Sequence, residues 1–159
     1  MVVASKLVFD NPVFSMFAFH SSVLVAKMLL VTLRTSLARI ASKCFSNDED
    51  IQAFTDGNNT KAVGHGSGDE FVERCRRAHL NDLENILPFL AVGLLYVLTN
   101  PTPKAAGCHF RIFTAVRVLH SIVYIGAWPQ PSRTFLFYIG LITLASMLLS
   151  VVNSCPFMW

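Results

Sequence analysis

The stretch E-R-C-R-R-A-H-L-N-D-L-E-N-I-L-P-F, from Glu73 to Phe89, is the most informative part of this chain. It begins with clustered arginines, continues through histidine, asparagine and acidic residues, and joins an apolar run that ends at Leu98. At about 100° per residue, the leucines of this stretch fall on other helical faces than one set of mostly polar residues. One polar face collects Arg74, Arg77, Asn81, Glu84 and Pro88. The stretch therefore predicts a helix with two chemically different faces.

The polar face of this helix needs an explanation. A solvated helix end, with an i,i+4 ion pair between Glu73 and Arg77, would account for the arginines. It does not account for Asn81, Asp82 and Glu84, because the apolar run is roughly long enough to cross a bilayer, where ionisable groups are costly and usually functional. We interpret these polar residues as part of a binding site.

The composition is that of a membrane protein. The 159 residues are 53% hydrophobic and 14% charged, with a mean hydropathy of +0.49, which is too apolar for an ordinary soluble domain. The chain has a net charge of +3, but its basic residues are dispersed or flank apolar segments, which argues against a nucleic-acid-binding protein. We expect a single, all-α domain embedded in the membrane.

Apolar segments separated by turns predict a bundle of four transmembrane helices. Their approximate bounds are 12–37, 78–98, 108–127 and 134–152, with a polar extramembrane loop at about 41–70. Lys27 lies well inside the first span; a snorkelling side chain is one interpretation. We favour the alternative that Lys27 faces Asp82 or Glu84, the acids at membrane depth.

The distribution of basic residues predicts the orientation. Most of them fall on the side of the bilayer that carries the long loop, which places this loop in the cytosol and both termini in the lumen. The basic residues on the loop side are Arg34, Arg39, Lys43, Lys61, Arg74, Arg76, Arg77 and Arg133. The loop contains an N-glycosylation sequon at Asn58, which this orientation predicts to stay unmodified.

The cysteines are predicted to be free thiols. No Cys-x-x-C pair and no Cys/His spacing typical of zinc occurs, so we expect no metal site. The four residues are Cys44, Cys75, Cys108 and Cys155.

The last two spans add further polar residues. Arg117, His120, Ser121 and Tyr124 recur at i, i+3, i+4 and i+7 and therefore share one helical face. Arg133 falls in the first turn of the fourth span, where the helix dipole opposes a cation unless an anion joins it. A lipid phosphate is one such anion, and a bound ligand is another.

Together the second to fourth spans direct a cluster of cations toward one membrane boundary. Such a cluster suits a small ligand with several negative charges, and Glu84 is placed to receive an ammonium group. The candidate residues of these spans are Arg76, Arg77, His79, Asn81, Glu84, Arg117, His120, Tyr124 and Arg133.

The motif V-E-R-C-R-R-A-H-L-N-D-L-E-N-I-L-P-F-L, from Val72 to Leu90, resembles the membrane-associated proteins of eicosanoid and glutathione metabolism, and most closely their microsomal glutathione transferase branch. The motif is highly specific for this family. Weaker matches carry the resemblance over most of the chain and lie at 45–50, 109–113, 115–124 and 129–133.

This resemblance implies a function and an assembly. It implies a glutathione transferase in which Arg133 matches the catalytic arginine beside the thiolate, Tyr124 and His120 line the ligand, and Arg39 contacts glutathione. It also implies a homotrimer with glutathione between subunits, conjugation of glutathione to hydrophobic electrophiles, and reduction of lipid hydroperoxides. The implied location is the membrane of the endoplasmic reticulum, with the outer mitochondrial membrane as a second one.

Two alternatives belong to the same family. The prostaglandin E synthase branch has an arginine where this chain has Leu80, and a tyrosine near the position of Phe137, so that activity is the enzymatic alternative. Another branch binds lipid as a non-enzymatic accessory protein. The set Arg77, Glu84, Arg117 and Arg133 is complete here and favours bound glutathione.

Overall fold

The computed structural model describes residues 6–45, 47–54 and 68–156. All regular structure in these ranges is helical. The helices are α1 (Pro12–Ser42), α2 (Asp48–Phe54), α3 (Glu70–Leu98), α4 (Pro103–Ile125) and α5 (Ser132–Ser154).

The long helices begin where the sequence offers capping side chains. Asn11 Oδ1 accepts a hydrogen bond from the Val13 amide at 3.0 Å, and Pro12 occupies the first turn of α1, where a missing amide hydrogen costs nothing. Asp69 caps α3 in the same way, and Thr102 caps α4. These caps satisfy backbone donors that the helices leave unpaired.

The four long helices form an up-down-up-down bundle. Each of α3, α4 and α5 runs antiparallel to the long helix that precedes it, and α1 also packs along α4. A hydrogen bond of 3.1 Å between His20 Nδ1 and Thr114 Oγ1 ties α1 to α4, and one of the same length between His109 Nε2 and Ser146 Oγ ties α4 to α5. This topology brings the C-terminal end of α1, the N-terminal end of α3 and the turn between α4 and α5 to one side of the bundle.

Aromatic rings fill the half of the bundle away from the loop. Phe89 stacks on Phe113 with ring centres 4.3 Å apart, and Phe17 and Phe110 pack beside them at 5.7 Å from each other. Gly93 makes room for this cluster, because a Cβ atom there would lie 2.5 Å from the Phe17 ring. The apolar core thus occupies one half of the bundle and leaves the other half to polar side chains.

The predicted fold class is confirmed. The four long helices are long and apolar enough to cross a membrane, by length and composition, and the chain is a multi-pass membrane protein. Large apolar side chains cover their outer surfaces, as a lipid-facing surface requires. Examples are Leu29, Leu33, Leu87, Ile122, Phe135, Ile142 and Leu149.

The helices extend beyond the predicted spans. Helix α1 continues to Ser42, and α3 already begins at Glu70, so both project past the apolar segments into the region of the loop. The predicted loop at 41–70 also contains the short helix α2. The second half of this loop, 55–67, with its sequon, lies outside the described residues.

Candidate functional site

A cationic groove lies between α1 and α3 at the loop side of the bundle. It has a volume of about 440 Å³ and brings together Arg39 from the last turn of α1 with Arg76, Arg77 and His79 from the first turns of α3. Four of the predicted site residues therefore meet in one groove. Its full lining is Thr32, Thr35, Ser36, Arg39, Glu73, Arg76, Arg77, His79, Leu80 and Leu83.

The groove offers hydrogen-bond donors to a ligand. Arg39 Nε and His79 Nδ1 are buried and have no hydrogen-bond partner among the described residues. Arg76 is engaged, because its Nη1 donates to the two carboxylate oxygens of Glu73 at 2.8 and 3.0 Å. Buried polar atoms are normally paired, so the unpaired Arg39 Nε, which can only donate, indicates a place for a hydrogen-bond acceptor.

A second group of charges lies inside the bundle, around Asp82. This side chain is completely buried and accepts from Lys27 Nζ of α1, from Arg117 Nη2 of α4 at 3.2 Å, and from Ser121 Oγ at 3.3 Å. The expectation that Lys27 faces an acid of α3 is thus confirmed, with Asp82 as the acid. A buried carboxylate between two cations holds three helices together.

Arg117 belongs to this interior group. It is 0% exposed, and its Nη2 also donates to Asn81 Oδ1 at 2.5 Å. Its Nε and Nη1 have no partner within the described part of the chain. Arg117 therefore touches a predicted site residue, Asn81, without reaching the surface of the chain.

A third group lies where α4 meets α5. The guanidinium carbon of Arg133 sits 4.9 Å from the centre of the Tyr124 ring, and the Tyr124 and His120 rings are 5.7 Å apart. Arg133 is the second residue of α5, as its predicted place in the first turn requires. Arg133 Nε and His120 Nδ1 are buried, and neither has a hydrogen-bond partner in 6–45, 47–54 or 68–156.

Glu84 stands apart from all three groups. It lies on the exposed surface of α3, and it has no hydrogen bond or ion pair with another described residue. Arg77 is exposed as well, although it also lines the groove. Within one chain the predicted residues are consequently divided among the groove, the interior, the α4/α5 contact and the outer surface of α3.

The prediction omitted the hydroxyl groups of the groove. Thr32, Thr35 and Ser36 line it together with Arg39. These residues are spaced i, i+3, i+4 and i+7, the pattern that marked the polar face of α4, so the same criterion applied to α1 would have found them. The sequence places Asp82 among the polar residues of α3 that are interpreted as a binding site, and Ser121 on the polar face of α4, but neither is among the candidate ligand residues.

The cysteines and other possible metal ligands are dispersed. All four cysteines are free thiols, and Cys75 is buried while Cys108 and Cys155 are exposed. No group of three or more His, Cys, Asp or Glu side chains within the described ranges could hold a metal ion.

Most of the chain is similar to known proteins. It is 44% identical over 147 residues to "Microsomal glutathione S-transferase 1" of Homo sapiens, covering 92% of this chain and 94% of that protein, and 42% identical over 149 residues to the Rattus norvegicus protein of the same name, covering 94% and 95%. It is 36% identical over 154 residues to "Prostaglandin E synthase" of Homo sapiens, covering 94% of both chains. The MAPEG family model matches residues 17–153, and the chain accordingly belongs to the MAPEG family.

Proposed function

We propose that this protein is a membrane-bound glutathione transferase. Its site favours the thiolate form of glutathione and lets the sulfur attack hydrophobic electrophiles. The observation that carries the proposal is the groove of Arg39, Arg76, Arg77 and His79, in a chain 44% identical over nearly its whole length to a microsomal glutathione S-transferase.

The charges of the site match those of glutathione, a tripeptide with two carboxylates, one ammonium group and one thiol. Charge-assisted hydrogen bonds from the arginines of the groove suit the carboxylates. The free carboxylate of Glu84 suits the ammonium group. Asn81, His120 and Tyr124 contribute further polar contacts, and Arg117 supports them from the interior.

Arg133 is the residue proposed to activate the thiol of glutathione. A thiol with a pKa near 8.5 is only about 3% thiolate at pH 7, and lowering the pKa by about two units raises that share to about 75%. The required stabilisation of the anion is roughly 2.7 kcal/mol. A guanidinium with a free Nε, held in the first turn of α5 near the positive end of that helix, is a suitable source.

The complete site requires more than one chain. Within one chain the groove lining does not include Arg133, Tyr124, His120 or Glu84. In the proposed homotrimer, glutathione lies between subunits, so that one subunit supplies the groove and its neighbour supplies Arg133. The exposed position of Glu84 supports this arrangement, because a charged side chain on the outside of a membrane helix needs a partner.

The proposed second substrate arrives through the bilayer. Apolar side chains cover the outer faces of α1 and α5, so hydrophobic electrophiles and lipid hydroperoxides dissolved in the membrane can reach the site from the side. The proposed activities are conjugation of the electrophiles and glutathione-dependent reduction of the hydroperoxides. The proposed location is the membrane of the endoplasmic reticulum, and the outer mitochondrial membrane is the second one.

Transferase activity is favoured over prostaglandin E synthase activity by one residue of the groove. Leu80, where the synthase branch has an arginine, lines the groove and is 56% exposed. An apolar side chain therefore occupies the place of a cation. The identity to the synthase is also lower, at 36% against 44% over a similar share of the chain.

The direct test is glutathione binding to the full-length protein purified in detergent. We expect saturable binding by calorimetry, and ultraviolet absorbance of bound thiolate at a pH where free glutathione is mostly a thiol. A matched control is S-methylglutathione, which has no ionisable thiol and should bind without the absorbance change. Absence of glutathione binding to the folded protein would refute the proposal and would favour a lipid-binding accessory role.

A further inference from the structure

The proposed chemistry uses only Arg117 of the charged cluster around Asp82. It consists of Lys27, Asp82, Arg117 and Ser121, and both Asp82 and Arg117 are 0% exposed. Buried ion pairs are weak evidence for stability, because apolar side chains of similar volume often serve as well or better. A membrane protein that retains such a cluster in contact with Asn81, a predicted site residue, suggests another use for it.

The cluster determines which way the amide of Asn81 points. Arg117 Nη2 lies 2.5 Å from Asn81 Oδ1. A guanidinium carries only donors, so the atom of Asn81 that faces it has to be the oxygen. The Nδ2 group must then point away from Arg117. Asn81 is half-buried, and its Nδ2 makes no hydrogen bond with the described residues, so it stays available as a donor.

Asp82 in turn determines where the Arg117 guanidinium lies. Its Oδ1 accepts from the same Nη2 that donates to Asn81, at 3.2 Å, and Ser121 Oγ donates to both of its oxygens at 3.3 Å. Lys27 supplies the second cation from α1. Donors from α1 and α4 therefore fix the Asp82 carboxylate. The carboxylate in turn keeps Arg117 close to the backbone of α3, where Arg117 Nη2 lies 3.4 Å from the Asn81 carbonyl oxygen.

We propose that Asp82 and Arg117 are positioning residues that act through Asn81, holding its Nδ2 as a donor toward an anionic group of the bound glutathione. This inference rests on the proposed function. It assigns Arg117 an indirect role, because a side chain without exposed surface supports the ligand through its neighbour more readily than by contact.

A double-mutant cycle tests whether Asp82 affects glutathione binding through Asn81. Glutathione affinity is measured by calorimetry for the full-length protein in detergent, with Asp82→Asn introduced both into the wild type and into Asn81→Ala. Loss of one oriented hydrogen bond should weaken binding roughly tenfold in the wild type and less than about twofold in the Asn81→Ala background. Equal weakening in both backgrounds, or unchanged affinity in the first, overturns the proposal.

Asp82→Asn leaves two buried cations, Lys27 and Arg117, without a counter-charge, and this variant could fail to fold. A second set of variants therefore repeats the test without this charge imbalance. Lys27→Met becomes the parent, because it keeps the contacts among Asp82, Arg117 and Asn81. Lys27→Met combined with Asp82→Asn leaves one buried cation, the same net charge as the wild-type cluster. With Lys27→Met as the parent, Asp82→Asn should again weaken glutathione binding roughly tenfold, and by less than about twofold when Asn81→Ala is also present. Equal weakening in both cases, or unchanged affinity without Asn81→Ala, overturns the proposal here too. Wild-type protein that binds no glutathione overturns the proposed function and this inference together, whereas binding with an additive cycle overturns this inference alone.

Discussion

The Arg133 guanidinium lies over the face of the Tyr124 ring, with its carbon 4.9 Å from the ring centre. This cation–π contact ties the first turn of α5 to the last turn of α4. The contact keeps the Arg133 cation at the N-terminal end of α5, where the helix dipole opposes a positive charge. Because the Arg133 Nε lacks a partner in the described part of the chain, a donor stays available in a fixed place.

Removal of this guanidinium should impair the acidity of the thiol more than the binding of glutathione. In Arg133→Leu, we expect the pKa of bound glutathione to rise toward about 8.5 and conjugation at pH 7 to fall by at least tenfold, with a smaller loss of equilibrium affinity. Part of the lost rate should return as the pH rises, because hydroxide then forms the thiolate. Ultraviolet titration of the bound thiol and the pH profile of conjugation measure both effects.

Arg111→Leu is the matched control for Arg133→Leu. Arg111 is exposed on α4, outside the groove lining and outside the Arg133 contact, and its replacement changes the net charge equally. This variant should keep the wild-type thiol pKa. An Arg133→Leu protein with full turnover and an unchanged thiol pKa would show that Arg133 only anchors the chain to lipid.

Neutralising Glu84 should weaken glutathione binding. If Glu84 receives the ammonium group, Glu84→Gln loses a charge-assisted hydrogen bond, and affinity should fall by about 1.5 to 3 kcal/mol by calorimetry. Glu70→Gln removes the same charge from an exposed acid that pairs with Arg74, and it should leave affinity within about twofold. Equal affinities of the two variants would remove Glu84 from the site.

Filling the space at Gly93 should destabilise the bundle. An added Cβ would meet the Phe17 ring at 2.5 Å, and this ring is packed against Phe89 and Phe110, so it has little room to move. We expect Gly93→Ala to lower the free energy of unfolding by about 1 to 3 kcal/mol. Thermal unfolding in detergent measures the change.

The corresponding substitution at Gly140 serves as the control. A Cβ there would have its nearest neighbour at 3.6 Å, an ordinary contact distance. Gly140→Ala should therefore be neutral or stabilising by about 0.5 to 1 kcal/mol, since alanine favours a helix. If both variants unfolded at the same temperature, close packing at Gly93 would be refuted.

The orientation in the membrane predicts the state of Asn58. Its sequon lies in the loop that the basic residues place in the cytosol, so no glycan should be added. Expression in microsomes with and without a glycosidase, compared by gel mobility, tests this point. A sequon in a flexible peptide added ahead of Met1, on the predicted lumenal side, is the positive control. A glycan on Asn58 would invert the predicted orientation.

Four helices and their order could be predicted from the sequence because apolar segments of membrane length can bury their backbone only as helices. The turns were also evident, since the proline-rich segments at 99–104 and 128–133 cannot continue a helix. The predicted spans 12–37 and 78–98 are shorter than α1 and α3 because the outer turns of these helices are polar. Counting apolar residues detects the part of a helix inside the bilayer, not the turns that extend beyond it.

The sequence by itself determined that a polar face enters the membrane on α3 and that α4 carries Arg117, His120 and Tyr124 on one side. It favoured an acid as the partner of Lys27 but left a snorkelling side chain open. Periodicity establishes which residues share a helical face, because the helical repeat is fixed. It does not establish which face meets a neighbouring helix.

Only the tertiary structure decided that question. The packing of α1 and α4 against α3 turned Asp82 and Asn85 into the core and left Arg77 and Glu84 on the surface. It also enclosed Arg117 and separated it from the groove. The physical reason is that a charged group enters the core only where another helix supplies its partner, and those partners, Lys27 and Ser121, lie 55 and 39 residues from Asp82 along the chain.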